Sequence, residues 1–347
     1  MKMPATSLSQ LFCYAALLVV SVLILSVFQN LFNDYIIRII CNIFIFMVLA
    51  VSYNLINGVT GQLSLEPNGF VAVGAYVTEI LLLTADAKTN MYEMATPSPF
   101  ILAIHTSFLP VLLISGLCAA VLAVCLSFPV FRVRGDYLAI MTLGFGFIIK
   151  ILAINNPQIT NGAIGINEIP QASNMLFWCG LVALVAIVLV LQVVYFKYGR
   201  AMKAVRDDED AAIAMGINTF RMKTYAFATS AFFEGIGGGL LASLLTIISP
   251  DLFDFMLTFQ LLIIIVLGGL GSTTGAILGT IIVVGSGEWL RFLDQPLNLF
   301  GQDLGSHPDL RMVVFSLVLL IIMLFAREGL LGKQEIWEIN RKRRHGK

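Results

Sequence analysis

Polar residues interrupt this chain so rarely that one apolar run of membrane-crossing length follows another along it. A helix needs about 20 apolar residues to cross roughly 30 Å of hydrocarbon. Read against their polar breaks, the runs are 11–28, 37–56, 69–84, 109–130, 137–154, 175–196, 224–248, 255–270, 274–290 and 310–326. A stretch such as Leu261–Leu267 would suit a buried strand in water, but an open sheet edge cannot stay unpaired in lipid. The expected fold is therefore all-α: a polytopic integral membrane helix bundle of about ten transmembrane helices, one domain over 1–347. Composition agrees. The chain is 58% apolar and 12% charged, against about 45–50% and about 25% in ordinary soluble domains. That leaves too little polar material to cover a water-facing surface and excludes a soluble enzyme, a disordered chain and a nucleic-acid binder. The run 11–28 follows a single basic residue, Lys2, and lacks a small-x-small cleavage site, so it reads as a retained span.

Net charge is zero, with 21 basic and 21 acidic residues, so the information lies in their placement. With ten spans and the N-terminus inside, the inside segments are 1–10, 57–68, 131–136, 197–223, 271–273 and 327–347. They hold 16 of the 21 Lys and Arg, and the outside segments hold two, Lys88 and Arg291. Cytoplasmic loops carry such an excess. Both termini are expected in the cytoplasm, with Arg341-Lys342-Arg343-Arg344 in a basic cytoplasmic tail, 327–347. Cys13, Cys41, Cys118, Cys125 and Cys179 lie in apolar runs without C-x-x-C and read as small core residues. His105, His307 and His345 are scattered, so no metal site is expected. No G-x-x-x-x-G-K-[ST] loop occurs; Gly329-Leu330-Leu331-Gly332-Lys333 is only superficially like one.

The most informative loop is 197–223. Four consecutive acids, Asp207-Asp208-Glu209-Asp210, precede an alanine-rich turn, and Gly216 suits a helix C′ position. A short helix there would present Ala211, Ala212 and Met215 together at helical spacing. It reads either as a solvated connector or as a docking helix for a motor subunit. Asp210-Ala211-Ala212, three residues, then Gly216 resembles the E-A-A-x-x-x-G coupling motif of ABC importer permeases, with Asp in the Glu position. Further blocks are similar to branched-chain amino acid permeases of the LivM type: Gly199-Arg200-Ala201, Gly61-Gln62-Leu63-Ser64-Leu65, Arg134-Gly135-Asp136-Tyr137, Thr160-Asn161-Gly162 and Val266-Leu267-Gly268-Gly269-Leu270-Gly271-Ser272. Their order covers most of the chain.

The resemblance implies a bacterial inner-membrane importer. It has two related permease subunits, two ATPases that bind ATP and Mg, and an extracytoplasmic binding protein that delivers the solute. This chain would bind no cofactor and no nucleic acid and catalyse nothing. Asp210, Ala211, Ala212, Met215 and Gly216 would couple to an ATPase. Glu66 and Glu234 stand where that family usually has small or apolar residues, and Phe147 replaces an acid near the basic position of Lys150.

Independently of the resemblance, Gly235, Gly238, Gly268, Gly269, Gly271 and Gly275 fit close helix packing or local unwinding beside a path. Gln62, Ser64, Glu66 and Glu234 are the candidate path residues. The segment 61–64 reads as a capping turn or as a half-helix N-terminus that favours a solute carboxylate. Glu79, Glu234 and Glu288 are ionisable groups within spans, where a charge costs roughly 2.5–3.5 kcal/mol at the bilayer centre. Permeases for urea, amides, sugars or nucleosides, and an ion-coupled secondary transporter working without an ATPase, are the alternatives. A membrane-embedded enzyme would need a convergent catalytic set, and the sequence offers none.

Overall fold

The computed structural model describes residues 33–289 apart from 93–95, 134, 168 and 172–173, with scattered positions between 298 and 335. The run 11–28, Arg291, most of 310–326, the basic cluster of the tail and both termini lie outside the described residues.

Helix α1 (Asp34–Asn54) runs on into a π-helical turn, Leu55–Val59. After an extended stretch come α2 (Pro67–Leu82) and α3 (Ala85–Met91), bent at 118° to each other. There follow α4 (Pro99–Leu102), α5 (Phe108–Val130), α6 (Asp136–Asn155), α7 (Pro157–Thr160) and α8 (Met175–Tyr195). The 197–223 loop contains α9 (Lys197–Asp207) and α10 (Glu209–Ala214), and α11 (Thr219–Leu245) leaves it. Finally, α12 (Phe255–Gly268) and α13 (Thr273–Trp289) meet at 120°. Prolines at the starts of α2, α4 and α7 supply the fixed φ that suits a first helical position. Beyond the helices, the described residues hold a hairpin of two-residue strands, Asn298–Leu299 with Gln302–Asp303, and an isolated bridge between Ile166 and Ile248.

Five helices are long and apolar enough to cross a membrane, and up to seven spans result if each bent pair counts as one. Eight apolar runs fall in this region of the sequence, against five to seven candidate spans by length and composition among the described residues. The 69–84 run yields only the 16-residue α2, about 24 Å long. The 255–270 and 274–290 runs are the two arms of a bent pair, broken where Gly269 adopts φ 116°. Hydropathy measures apolar length and is blind to such a bend.

Helix α11 lies at the centre, packed on α1, α2 and α5. Its glycines permit that. A Cβ on Gly74 of α2 would overlap the Gly235 carbonyl, one on Gly235 would meet Ser115 and Ala119 of α5, and one on Gly238 would strike the Val71 carbonyl. Backbones approach this closely only where side chains are absent. The outer faces of α5 and α6 carry Leu117, Val121, Phe128, Ile140, Ile148 and Ile151 exposed, as lipid-facing surfaces should. Cys41 and Cys179 are buried as expected of core residues, but Cys125 sits on the outer face of α5.

Gly74→Ala should therefore lower the thermal midpoint of the purified protein, since overpacking costs about 1–3 kcal/mol. Gly144 of α6 has nothing within 4 Å of an added Cβ. Gly144→Ala should be neutral or stabilising by up to about 1 kcal/mol through helix propensity. Equal midpoints for both variants would contradict the close contact of α2 and α11.

Candidate functional site

Two regions carry functional groups: the end of the bundle that bears α9 and α10, and a buried polar zone beside α2.

At the first, α10 is a well-defined short helix. The Asp208 carboxylate accepts from the Asp210 and Ala211 amides at 3.0 Å each, capping its start. At its other end Gly216, with φ 80°, donates to the Ile213 carbonyl at 2.9 Å while the Ile217 amide donates to the Ala212 carbonyl at 3.0 Å. This is the Schellman closure, with Gly216 at C′. The sequence expectation for its exposed face needs one correction. Ala212 is only 3% exposed and packs inward, whereas Met215 is 82% exposed, beside exposed Ala211 and Ile213. Ala212 is thus a packing residue. Asp207, Asp208 and Asp210, just before or within α10, are exposed.

Three contacts tie this loop to the bundle. Lys223, buried in the second turn of α11, pairs with Glu209 at 2.8 Å. The Arg206 guanidinium donates to the Gly58 carbonyl at 3.1 Å and its aliphatic stem lies against Gly61. The Asn54 side chain in turn bonds both sides of the 269–272 turn, accepting from the Gly271 amide at 2.9 Å and donating to the Ser272 carbonyl at 3.1 Å. The chain near its C-terminus joins the same place: Glu335 accepts from the Thr273 amide at 2.8 Å and the Thr274 amide at 3.0 Å. A carboxylate there meets the positive end of the α13 dipole. A cavity of about 260 Å³ opens between Gly61, Gln62, Gly135, Leu138, Glu209 and Lys223. Five of the six segments that the basic residues assign to one side therefore meet at one end.

The second region begins at Gly61. Residues 61–66 are not helical, and backbone groups of Ser64 and Leu65 are paired by side chains from flanking elements. Tyr53 donates to the Ser64 carbonyl at 2.6 Å, Asn57 accepts from the Ser64 amide at 2.8 Å, and Thr142 accepts from the Leu65 amide at 2.9 Å. The stretch ends at Glu66, the N-cap of α2, whose carboxylate makes no capping bond. The amides at the start of α2 are engaged within the protein. Pro67 has no amide hydrogen, Asn68 donates to Thr258 at 3.2 Å, and Gly69 donates to the Glu66 carbonyl at 2.9 Å.

Glu66 and Glu234 are fully buried. Glu234 lies fifteen residues beyond Thr219, just past the middle of the 27-residue α11, deeper than the ten that the 224–248 run suggests. Its Oε1 accepts from Ser230 at 2.8 Å, and Ser230 also donates to the Ser52 carbonyl at 2.7 Å. Ser64, Glu66 and Glu234 are thus all fully buried, whereas Gln62 lines the α10-end cavity. Sequence reasoning missed Tyr53, Ser230, Arg206 and Glu335. Tyr53 and Ser230 look like ordinary span residues until the chain is folded, and nothing local ties Arg206 to Gly58 or Glu335 to Thr273.

At the opposite end, Lys150 pairs with Asp251 at 2.9 Å, which supplies the partner that Phe147 does not. Buried Lys88 donates to the Ile101 and Ile104 carbonyls at 2.7 Å each. Tyr92 donates to the Ile159 carbonyl at 2.5 Å, and burial holds its phenol above the ordinary range. Glu288 accepts from Tyr35 at 2.6 Å. Gly268 and Gly275 pack backbone to backbone, and Gly269 lies against Gly332. Among the described residues no group of three His, Cys, Asp or Glu could hold a metal ion.

Lys223→Gln should remove the Lys223–Glu209 ion pair and loosen α10. Amides 209–217 should then exchange with deuterium about tenfold faster or more, since losing a partly buried charged hydrogen bond costs about 1.5–3 kcal/mol. Unchanged exchange would mean that the pair does not hold the loop.

Comparison with known proteins gives the family. The family model described as the branched-chain amino acid transport system permease component matches residues 35–323. The high-affinity branched-chain amino acid transport system permease protein LivM of Escherichia coli strain K12 is 35% identical over 280 residues, 71% of this chain and 61% of the relative. LivM of Salmonella typhimurium is 34% identical over the same shares. LivH of Salmonella typhimurium, also a permease protein, is 22% identical over 308 residues, 85% of this chain and 93% of the relative. The match thus spans about three fifths of the length of the LivM relatives. No solved structure matches. With its apolar helices, its broken spans and this match across most of its length, the chain belongs to the family of permease components of branched-chain amino acid transport systems.

Proposed function

We propose that this chain is the membrane-spanning permease subunit of an ATP-driven importer for branched-chain or related amino acids. It sits in the bacterial inner membrane with about ten spans and both termini in the cytoplasm. It pairs with a second, homologous permease and receives solute from an extracytoplasmic binding protein. Two partner ATPases bind and hydrolyse ATP with Mg, and this chain is not an enzyme.

The observation that carries this reading is the construction of α10. An apolar face led by Met215 projects from the bundle, while Lys223–Glu209 and Arg206–Gly58 fasten its rear to α11 and to the turn after α1. A helix fastened at the back and bare at the front transmits a push from a partner without absorbing it in local bending. The basic excess of the segments that meet at this end supports a cytoplasmic location for it, where ATP is available. Branched-chain solutes are favoured over urea, amides, sugars or nucleosides by the relatives' functions. An ion-coupled transporter would account for the buried acids Glu66 and Glu234, but it leaves the α10 face without a role.

Met215→Glu is the decisive variant, because the side chain is exposed and nothing in the fold rests on it. Reconstituted with its ATPases, second permease and binding protein, it should lose substrate-stimulated ATP hydrolysis and uptake at least about tenfold, with an unchanged thermal midpoint. Wild-type hydrolysis by the variant would overturn the docking role of α10. Uphill uptake by the isolated chain on an ion gradient, without nucleotide, would overturn the whole reading.

A further inference from the structure

The cavity beside α10, about 260 Å³, has a wall of mixed chemistry that helix packing alone does not call for. Lys223 and Glu209 put one positive and one negative group on it, 2.8 Å apart. An ammonium has three donors. Glu209 Oε1 takes one of those of Lys223. The described residues supply no acceptor for the other two, although the side chain is only 7% exposed. The Gln62 carboxamide also lines the cavity and makes no hydrogen bond among the described residues, while the Gln62 amide donates to the Ile56 carbonyl at 3.1 Å. Leu63 and Leu138 supply apolar wall, and a Cβ added at Gly135 would meet nothing within 4 Å.

Buried donors without acceptors are expensive, and they mark places where water or a ligand completes the bonding. Size and charge narrow the occupant. Pockets for drug-sized molecules start at about 300 Å³, so this one suits a small metabolite. The Lys223–Glu209 pair is neutral as a unit, so a net anion or cation beside it would bring one uncompensated charge into a largely buried place. A compact zwitterion brings none. Its carboxylate meets the spare Lys223 donors and the Gln62 amide. Its ammonium meets Glu209, since a carboxylate has about four acceptor sites. Leu63 and Leu138 then suit a short aliphatic side chain.

We propose that this cavity binds one free aliphatic α-amino acid at the α10 end of the bundle. The ligand class follows from the wall, whereas taking it to be the transported solute rests on the reading of the chain as a branched-chain amino acid permease. The bound molecule touches α11 at Lys223, α10 at Glu209, residues 62–63 and the start of α6, which are far apart in sequence. It thereby braces α10 against the bundle, and solute accumulated on the cytoplasmic side acts on the docking helix.

The test uses the purified full chain in lipid nanodiscs, which leave both faces open, with radiolabelled leucine as probe. Saturable binding at about one per chain is expected. Two fragments of leucine separate its charges: 4-methylpentanoate lacks the ammonium and isoamylamine lacks the carboxylate. Each should compete at least about tenfold more weakly than leucine, as loss of a hydrogen bond to a charged group implies. Leu63→Trp, at a half-exposed position, should abolish binding by filling the cavity, and Gln62→Ala should weaken it about fivefold. Saturating leucine should slow deuterium exchange of amides 209–217 in the wild-type chain. No saturable binding, equal competition by either fragment, or undiminished binding in both variants would each overturn the proposal. The permease reading is judged separately. Uptake by the assembled transporter with no leucine bound to the isolated chain would overturn this inference alone. Leucine binding as described, with full ATP hydrolysis by Met215→Glu, would support it and overturn the docking role of α10.

Discussion

Lipid offers no hydrogen-bond partners, so every backbone amide and carbonyl at membrane depth must be paired within the protein. That constraint governs the break between α1 and α2. Residues 61–66 leave the helical ladder, and their polar groups would be intolerable in hydrocarbon. Tyr53 and Asn57 from the α1 side and Thr142 from α6 pair them instead. The break is tolerated because three helices enclose it, and in turn it draws those helices together. The burial of Glu66 at the N-cap of α2 accompanies that enclosure.

The central glycine contacts belong to the same economy. Without a hydrophobic driving force between helices in lipid, association depends on close packing and on polar contacts. Gly74 and Gly235 allow carbonyl-to-backbone approach at the crossing of α2 and α11. This gives α11 a fixed position against the interrupted helix, and α11 begins directly beyond the α10 loop. One continuous helix runs from the α10 loop into the bundle, with Lys223 near its start and Glu234 past its middle.

The convergence at the α10 end also accounts for the distribution of charge. The turn after α1, the 131–136 loop, the 197–223 loop, the 269–272 turn and Glu335 are far apart in sequence. Among the described residues, Arg206 and Lys223 are the basic residues in these contacts. Of the other basic residues of the 197–223 loop, Lys197, Arg200 and Arg221 are exposed, and Lys203 lies over the Tyr195 ring at 5.4 Å.

Several things were legible in the residues alone. Apolar run length established a helical membrane protein, because hydrocarbon thickness sets helix length. The Asp208 and Gly216 punctuation marked a short helix, because cap geometry is local. Glu66 and Glu234 stood out because charge in an apolar run is conspicuous wherever the run folds. The number of spans was less legible, since a bend such as that between α12 and α13 changes direction without changing hydropathy. Which face of α10 is bare, and that Ala212 points inward, required the position of the neighbouring helices. That Glu66 and Glu234 are fully buried, while Gln62 lines the α10-end cavity, depended on how α2 crosses α11. Sequence determines what a segment must satisfy, because propensity and solvation are properties of neighbouring residues. Tertiary structure alone decides which distant groups satisfy one another, because that depends on how helices cross.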